Sequence, residues 1–190
     1  MAKPYDIQQI ITGCIKKERQ FQRVLVDKYS GLLYAICCRY LQGTDEAKDG
    51  LQEILIRIFQ NLDSFDQSKG SFEGWATTIA IRHCLTKLRK KNLKILSTED
   101  KLVNQASYEI ETDILSNYDL IHITKFVADL PETYRSVFNL AAIDGYSHKE
   151  VSQLLGISEA TSRTRLNRAK NILKDRISRL TKTESWVDTI

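Results

Sequence analysis

Tyr146-Ser147-His148-Lys149-Glu150-Val151-Ser152-Gln153-Leu154-Leu155-Gly156-Ile157-Ser158-Glu159-Ala160-Thr161-Ser162-Arg163-Thr164-Arg165-Leu166-Asn167-Arg168 holds two helical patterns broken at a glycine. Ser147 is expected to N-cap the first helix, with Glu150 three residues on completing a capping box. Val151, Leu154 and Leu155 give that helix one apolar stripe. Gly156 ends it, because glycine tolerates the left-handed conformation a helix C-terminus needs. Ser158 is expected to cap the second helix. Two helices joined by so short a turn have the layout of a DNA-binding helix-turn-helix.

At about 100° per residue, the second helix divides cleanly. Ser162, Leu166, Ala169 and Leu173 share a narrow face expected to pack inward. Ala160, Thr164, Asn167, Arg168 and Asn171 fall opposite, with Arg163 and Arg165 on the flanks. Short side chains permit close approach to a groove, Asn and Arg can read base edges, and flanking cations can take phosphates. Taken alone, the same pattern also describes a solvated basic face on a core helix.

The chain has 190 residues, enough for one ordinary domain or two small ones. Long amphipathic segments dominate, and only two prolines and eight glycines interrupt them, which predicts an all-α protein. The net charge of +4 is mild, but its distribution is not. Arg82, Lys87, Arg89, Lys90, Lys91 and Lys94 follow one another with no acid between. From Arg163 to Lys182, eight Lys or Arg accompany one acid, Asp175. Two basic runs separated in the chain fit two contacts with a polyanion. No apolar run reaches bilayer-spanning length and Met1 to Asp6 lacks the apolar core of a signal peptide, so the protein is expected in the cytoplasm. Cys14, Cys37, Cys38 and Cys84 are expected as reduced, partly buried thiols. They form no C-x-x-C and no sequence cluster with the histidines, so no metal or cofactor is expected.

Two small helical domains and a linker are predicted. The first spans residues 1–93. Ile7, Ile10, Ile11, Cys14 and Ile15 give a short amphipathic helix. Phe21, Leu25, Leu32, Ile36 and Tyr40 give a second, broken at Gly43-Thr44. A third runs from Asp45 to about Asn61, with Ala47, Leu51, Ile54, Leu55, Ile58 and Leu62 inward. A polar loop leads to a fourth helix from about Phe72 to Lys91. Residues 94–118 carry irregular apolar spacing and an acidic excess, and read as a linker. Residues 119–182 form the second domain. Ile121, Ile123, Phe126, Val127 and Leu130 open it, a break follows at Leu130-Pro131, and Val137, Phe138, Leu140 and Ala141 continue. Residues 183–190 read as a loose tail.

The first domain holds two further patterns. In Glu46-Ala47-Lys48-Asp49-Gly50-Leu51-Gln52-Glu53-Ile54-Leu55-Ile56, the side chains of Glu46, Asp49, Gln52, Glu53 and Ile56 fall on or near the side opposite the apolar one. Such a face is usually just solvated. In Phe65 and Phe72-Glu73-Gly74-Trp75-Ala76-Thr77-Thr78-Ile79-Ala80-Ile81-Arg82, aromatics at a polar loop run into a basic helix. Thr78, Arg82, Thr86 and Arg89 share one side of it; the aromatics alone could simply be core.

With the helix-turn-helix, these patterns resemble the extracytoplasmic-function (ECF) group of bacterial sigma factors over roughly residues 20–92 and 119–180. The matching motifs are Asp49-x-x-Gln52-Glu53, Trp75-x-x-x-Ile79-Ala80, Leu130-Pro131-Glu132-x-Tyr134-Arg135-x-Val137-Phe138, Gly145-Tyr146-Ser147 onward, and Gly156-Ile157-Ser158-Glu159-x-Thr161. Any one is weak; all of them in this order are specific. Departures are Gly50 for an apolar residue, Lys48 for an acid, Ser162 for a valine and Arg82 for an asparagine.

The resemblance implies sigma domain two, a linker and sigma domain four. It implies no enzymatic chemistry and no small-molecule substrate, but a factor that carries core RNA polymerase to promoter DNA and opens it. Glu46, Asp49, Gln52 and Glu53 would dock on polymerase. Lys69, Ser71, Phe72, Arg82, Arg89, Lys90 and Lys91 would take the −10 strand, where a flipped base needs a pocket and the backbone needs cations. Ser158, Ala160, Thr161, Arg163, Thr164, Arg165, Asn167 and Arg168 would meet the −35 element. The family also makes a membrane-linked anti-sigma factor a reasonable partner. The competing reading is a helix-turn-helix regulator that is not a polymerase subunit; it would need neither the Asp49-Gln52-Glu53 helix nor the Trp75 block. A nucleic-acid enzyme finds no carboxylate pair, phosphate-binding glycine loop or nucleophile–histidine pairing to support it.

Overall fold

The computed structural model describes residues 5–97 and 126–184, with side chains from 5–91 and 126–178. All regular elements among these are helical, as the all-α reading requires. The chain divides into two compact units between residues 101 and 102.

In the first unit, α1 (Ile7–Ile15) opens on a capping box between Asp6 and Gln9. Ile10, Ile11 and Cys14 are buried, while Ile15 is exposed. α2 (Arg19–Tyr40) packs against α1, α3 (Thr44–Gln60) and α4 (Phe72–Ser97). Its inward stripe is Leu25, Tyr29, Leu33, Ile36, Cys37 and Tyr40. The expected Leu32 turns outward, because the stripe advances by steps of three and four and Leu32 lies about 100° from Leu33. α3 buries Ala47, Gly50, Ile54 and Ile58, and Leu62 follows just beyond its end.

At Gly50, α3 packs closely against the end of α2. A Cβ there would meet Leu41 Cδ1 at 2.7 Å and Cys37 Sγ at 3.4 Å. The missing side chain therefore serves helix packing, against a propensity cost of about 1 kcal/mol relative to alanine.

The polar loop before α4 folds into two 3-10 turns, Leu62–Ser64 and Gln67–Lys69. Ser71 Oγ then accepts from Gly74 N at 3.1 Å and caps α4. This helix continues to Ser97, past the expected end near Lys91 and past the expected domain boundary at residue 93. The rest of the expected linker, Ile121, Ile123 and the tail from residue 185 lie outside the described residues.

In the second unit, Phe126 to Ala128 are helical, and the chain breaks before Pro131 as expected. α5 (Glu132–Phe138) passes into a π-helical turn, Asn139–Ile143. Arg135 is 2% exposed and donates through Nη1 to the carbonyls of Ala128 at 2.7 Å and Leu130 at 3.3 Å. It thereby satisfies carbonyls that the preceding helical turn leaves open.

α6 (His148–Leu155) and α7 (Glu159–Glu184) follow, and α5 and α6 both pack against α7, the long element of the unit. Val127, Leu130, Ala169 and Leu173 form the core, flanked by Phe126, Tyr134, Phe138 and Ile172. Among the described residues, no helix is long and apolar enough to cross a membrane.

Candidate functional site

The helix-turn-helix forms through the caps its sequence encodes. Ser147 Oγ accepts from Glu150 N, and Glu150 Oε2 accepts from Ser147 N at 2.8 Å. The Ser147 hydroxyl, which donates to the same carboxylate at 2.7 Å, and then its backbone N–H hold the Glu150 carboxyl below its ordinary range. Gly156 ends α6 in the left-handed region at φ 66°, ψ 37°. Ser158 Oγ then accepts from Thr161 N at 3.0 Å, starting α7. Ser162 is fully buried and hydrogen-bonds His148 Nδ1 at 2.8 Å, tying the two helices together where a valine would only pack.

Ala160, Thr164, Asn167, Arg168 and Asn171 are exposed on α7, and Arg165 is half-buried. Two of the cations have partners, the first at helical spacing and the second beyond what helical angles show. Arg163 pairs with Glu159 one turn back at 2.8 Å, and Arg168 Nη1 donates to the Tyr134 hydroxyl on α5 at 3.4 Å. Further along, Arg176 is taken up inside the unit, donating to the carbonyls of Phe126 and Asp129.

On α3, Asp49, Gln52 and Glu53 are exposed, and Glu46 is half-buried. Ile56, 55% exposed, adds apolar surface beside them. Glu46 and Glu53 sit two turns apart on the edge facing α4. Glu46 Oε1 meets Lys91 Nζ at 2.8 Å. Glu53 Oε1 meets Lys87 Nζ at 2.8 Å, and its Oε2 lies 3.0 Å from Nε2 of the buried His83. The Lys87 hydrogen bond draws the Glu53 carboxyl below its usual range. Burial first, and then the Arg57 charge, push His83 down, so its imidazole favours the neutral form.

Of the residues expected at the −10 strand, Lys69, Ser71, Arg82, Arg89 and Lys90 are exposed. Lys69 pairs loosely with Asp66 at 3.4 Å. Ser71 is engaged as the cap of α4, and Lys91 by Glu46. Phe72 corrects the expectation. Its side chain is 3% exposed and packs against Tyr29, Phe65 and Trp75, with ring centroids 4.9 to 5.4 Å apart. A ring that can bury itself against three others holds the loop in place and offers no face to a base.

Family models for Sigma-70 region 2 and Sigma-70 region 4 match residues 25–93 and 122–173. The ECF RNA polymerase sigma factor SigW of Bacillus subtilis is 30% identical over 163 residues, covering 80% of this chain and 87% of that protein. The ECF RNA polymerase sigma factor SigK of Mycobacterium bovis is 25% identical over 152 residues, covering 78% and 81%. The fold is shared with the sigma factor RpoE, solved in complex with the anti-sigma factor NepR from Bartonella quintana. That likeness has a TM-score of 0.59 at 20% identity, over 82% of this chain and 96% of that one. A regulator built on the helix-turn-helix alone would lack the region 2 match. Both regions occur here in the family's order, and the chain belongs to the ECF group of RNA polymerase sigma factors.

Proposed function

We infer that the chain acts in the cytoplasm as a non-enzymatic initiation factor that brings core RNA polymerase to promoter DNA and opens the duplex. The carrying observation is the presence of both sigma regions on one chain, one to each compact unit. Residues 1–93 serve as sigma domain two, 94–118 as the linker and 119–182 as sigma domain four.

Asp49, Gln52 and Glu53, with Glu46 at the edge, form the face offered to polymerase; carboxylates suit a basic partner surface. Lys69, Arg82, Arg89 and Lys90 offer cations to the displaced −10 strand. Phe72 and Ser71 support that surface by packing and capping. The outer side of α7 meets the −35 element through Arg163, Thr164, Arg165, Asn167 and Arg168, with Ser158, Ala160 and Thr161 at its approach. Control by an anti-sigma factor fits the pairing seen in the RpoE complex.

Transcription by purified core polymerase with this protein on a genomic fragment library tests the reading. Discrete start sites that share spaced upstream elements and need the added protein are expected. Binding to duplex DNA without any polymerase-dependent transcript would instead indicate a stand-alone regulator.

A further inference from the structure

In the second unit, a groove of about 450 Å³ opens between the start of α5 and the exposed side of α7. Thr133 and Tyr134 line one wall, and Thr161, Thr164, Arg165 and Arg168 the other. The lining brings together two guanidinium groups and several hydroxyls, with no carboxylate.

The hydrogen bond from Arg168 Nη1 to the Tyr134 hydroxyl crosses this groove at 3.4 Å. It links the guanidinium of the exposed Arg168 to α5. An arginine has five N–H donors, so one such bond leaves others to give. A phenol that accepts from arginine keeps its own O–H to donate. Arg165 stands one turn earlier on the same wall. The hydroxyls of Thr161 and Thr164 are already engaged, with Ser158 Oγ at 2.8 Å and the Ala160 carbonyl at 3.0 Å, so they give shape more than donors.

A base edge presents donors and acceptors side by side in a plane. A concave lining of cationic and hydroxyl donors matches a group whose oxygens only accept. We propose that this groove is a phosphodiester seat, in which Arg165, Arg168 and the Tyr134 hydroxyl hold one backbone phosphate of duplex DNA. Arg168 then positions the protein without reading a base. Tyr134, outside the helix-turn-helix, joins the interface, and base reading falls to Asn167 and Arg163, neither of which lines the groove. The proposal rests on the assignment of α7 to duplex DNA.

The test uses the full chain bound to core polymerase, on a duplex promoter fragment recovered by transcription from the genomic library. Single backbone phosphates are replaced in turn by neutral methylphosphonates, and affinity is measured for wild type, Tyr134→Phe and Arg168→Ala. Tyr134→Phe keeps the ring that packs beside the unit's core, so a loss of fold does not mimic the effect.

One phosphate should stand out, its neutralisation weakening wild-type binding about tenfold, and Arg168→Ala should remove most of that sensitivity. Tyr134→Phe should reduce it in part. Arg168→Ala should also shallow the salt dependence by about one ion and leave the ranking of promoter variants unchanged.

Additive effects at every phosphate, or relaxed preference at one base position in Arg168→Ala, overturn the seat while α7 stays on DNA. If Asn167→Ala and Arg163→Ala also leave promoter affinity and preference untouched, the assignment of α7 itself fails. Inorganic phosphate, titrated at constant ionic strength, is the second probe. Saturable, Arg168-dependent binding of it together with a flat methylphosphonate scan would give the groove to a free anion and overturn the DNA seat.

Discussion

Glu46 of α3 and Lys91 of α4 meet at 2.8 Å, and the pair joins the face proposed for polymerase to the helix proposed for the promoter strand. Both side chains stay more than 40% exposed, so the pair is worth no more than about 1 kcal/mol. That is still enough to matter for a weak contact. While Glu46 neutralises it, Lys91 has less charge to give a phosphate backbone.

Glu46→Gln should therefore raise the affinity of the free protein for a short single-stranded oligonucleotide by up to about fivefold, with a steeper salt dependence. Fluorescence anisotropy at two salt concentrations measures both. Unchanged affinity and slope would show that Lys91 takes no part in strand binding.

Asp49 is the better probe of the polymerase face. Glu53 also holds Lys87 and lies against His83, with Arg57 nearby, so a lysine there would disturb the packing of α3 on α4. Asp49 is exposed, and reversing its charge leaves those contacts alone. Asp49→Lys should weaken core polymerase binding about tenfold or more while the thermal midpoint stays within a few degrees of wild type. Full affinity in the folded variant would move the docking site elsewhere.

His83 and Glu53 give unit one a stability that falls on acidification, in two windows. His83 is depressed from an ordinary value of 6.5, chiefly by burial. The unfolded chain therefore takes up a proton first as pH drops through that value, and stability declines from there down to the folded value. Glu53 is depressed from 4.5 by its bond with Lys87, so its contribution is present above 4.5 and is lost as pH falls further. His83→Gln should flatten the decline that begins near the ordinary histidine value of 6.5 and leave the lower window in place. Urea unfolding at a series of pH values separates the two; an unaltered upper window would mean His83 does not titrate on unfolding.

The helix-turn-helix was legible because its signals are local. Ser147 with Glu150, Gly156 and Ser158 act within four residues of themselves, and sequence spacing reads such contacts directly. What spacing missed was long-range. It placed Glu46 and Glu53 on an outer face but could not show that α4 passes beside it, 45 and 34 residues later. It set Phe72 at a DNA loop without seeing Tyr29 waiting on α2. Leu32 and Leu33 differ by one step of the helix, and only packing distinguishes them. Arg168 is exposed on the outer side of α7, but helical angles say nothing of the Tyr134 hydroxyl it meets across the groove.

Gly50 marks another such contact and makes a stability prediction with two opposing terms. Alanine would gain about 1 kcal/mol in helix propensity. Its Cβ would press on Leu41 and Cys37, both buried, and overpacking of that kind costs about 1–3 kcal/mol. Gly50→Ala should therefore be neutral to destabilising, by up to about 2 kcal/mol in urea unfolding. A stabilised variant would show that Leu41 can turn aside at little cost.

Asn167 is the sharpest test of how α7 reads sequence. It is exposed, lies outside the groove that holds Arg168, and carries a side-chain amide able to donate and accept together at an adenine edge. Arg163, by contrast, must loosen its 2.8 Å pair with Glu159 before it can reach a base. Asn167→Ala should cost about 1–3 kcal/mol at the preferred promoter and relax discrimination at a single base position, with the salt slope unchanged. Arg163→Ala should cost less, because the lost contact is partly offset by ending that competition. Binding of each variant to a set of single-base promoter substitutions at two salt concentrations distinguishes the outcomes. An Asn167→Ala protein that loses affinity evenly across the set, with a shallower salt slope, would place this residue on the backbone and leave base reading to Thr164 and Arg163.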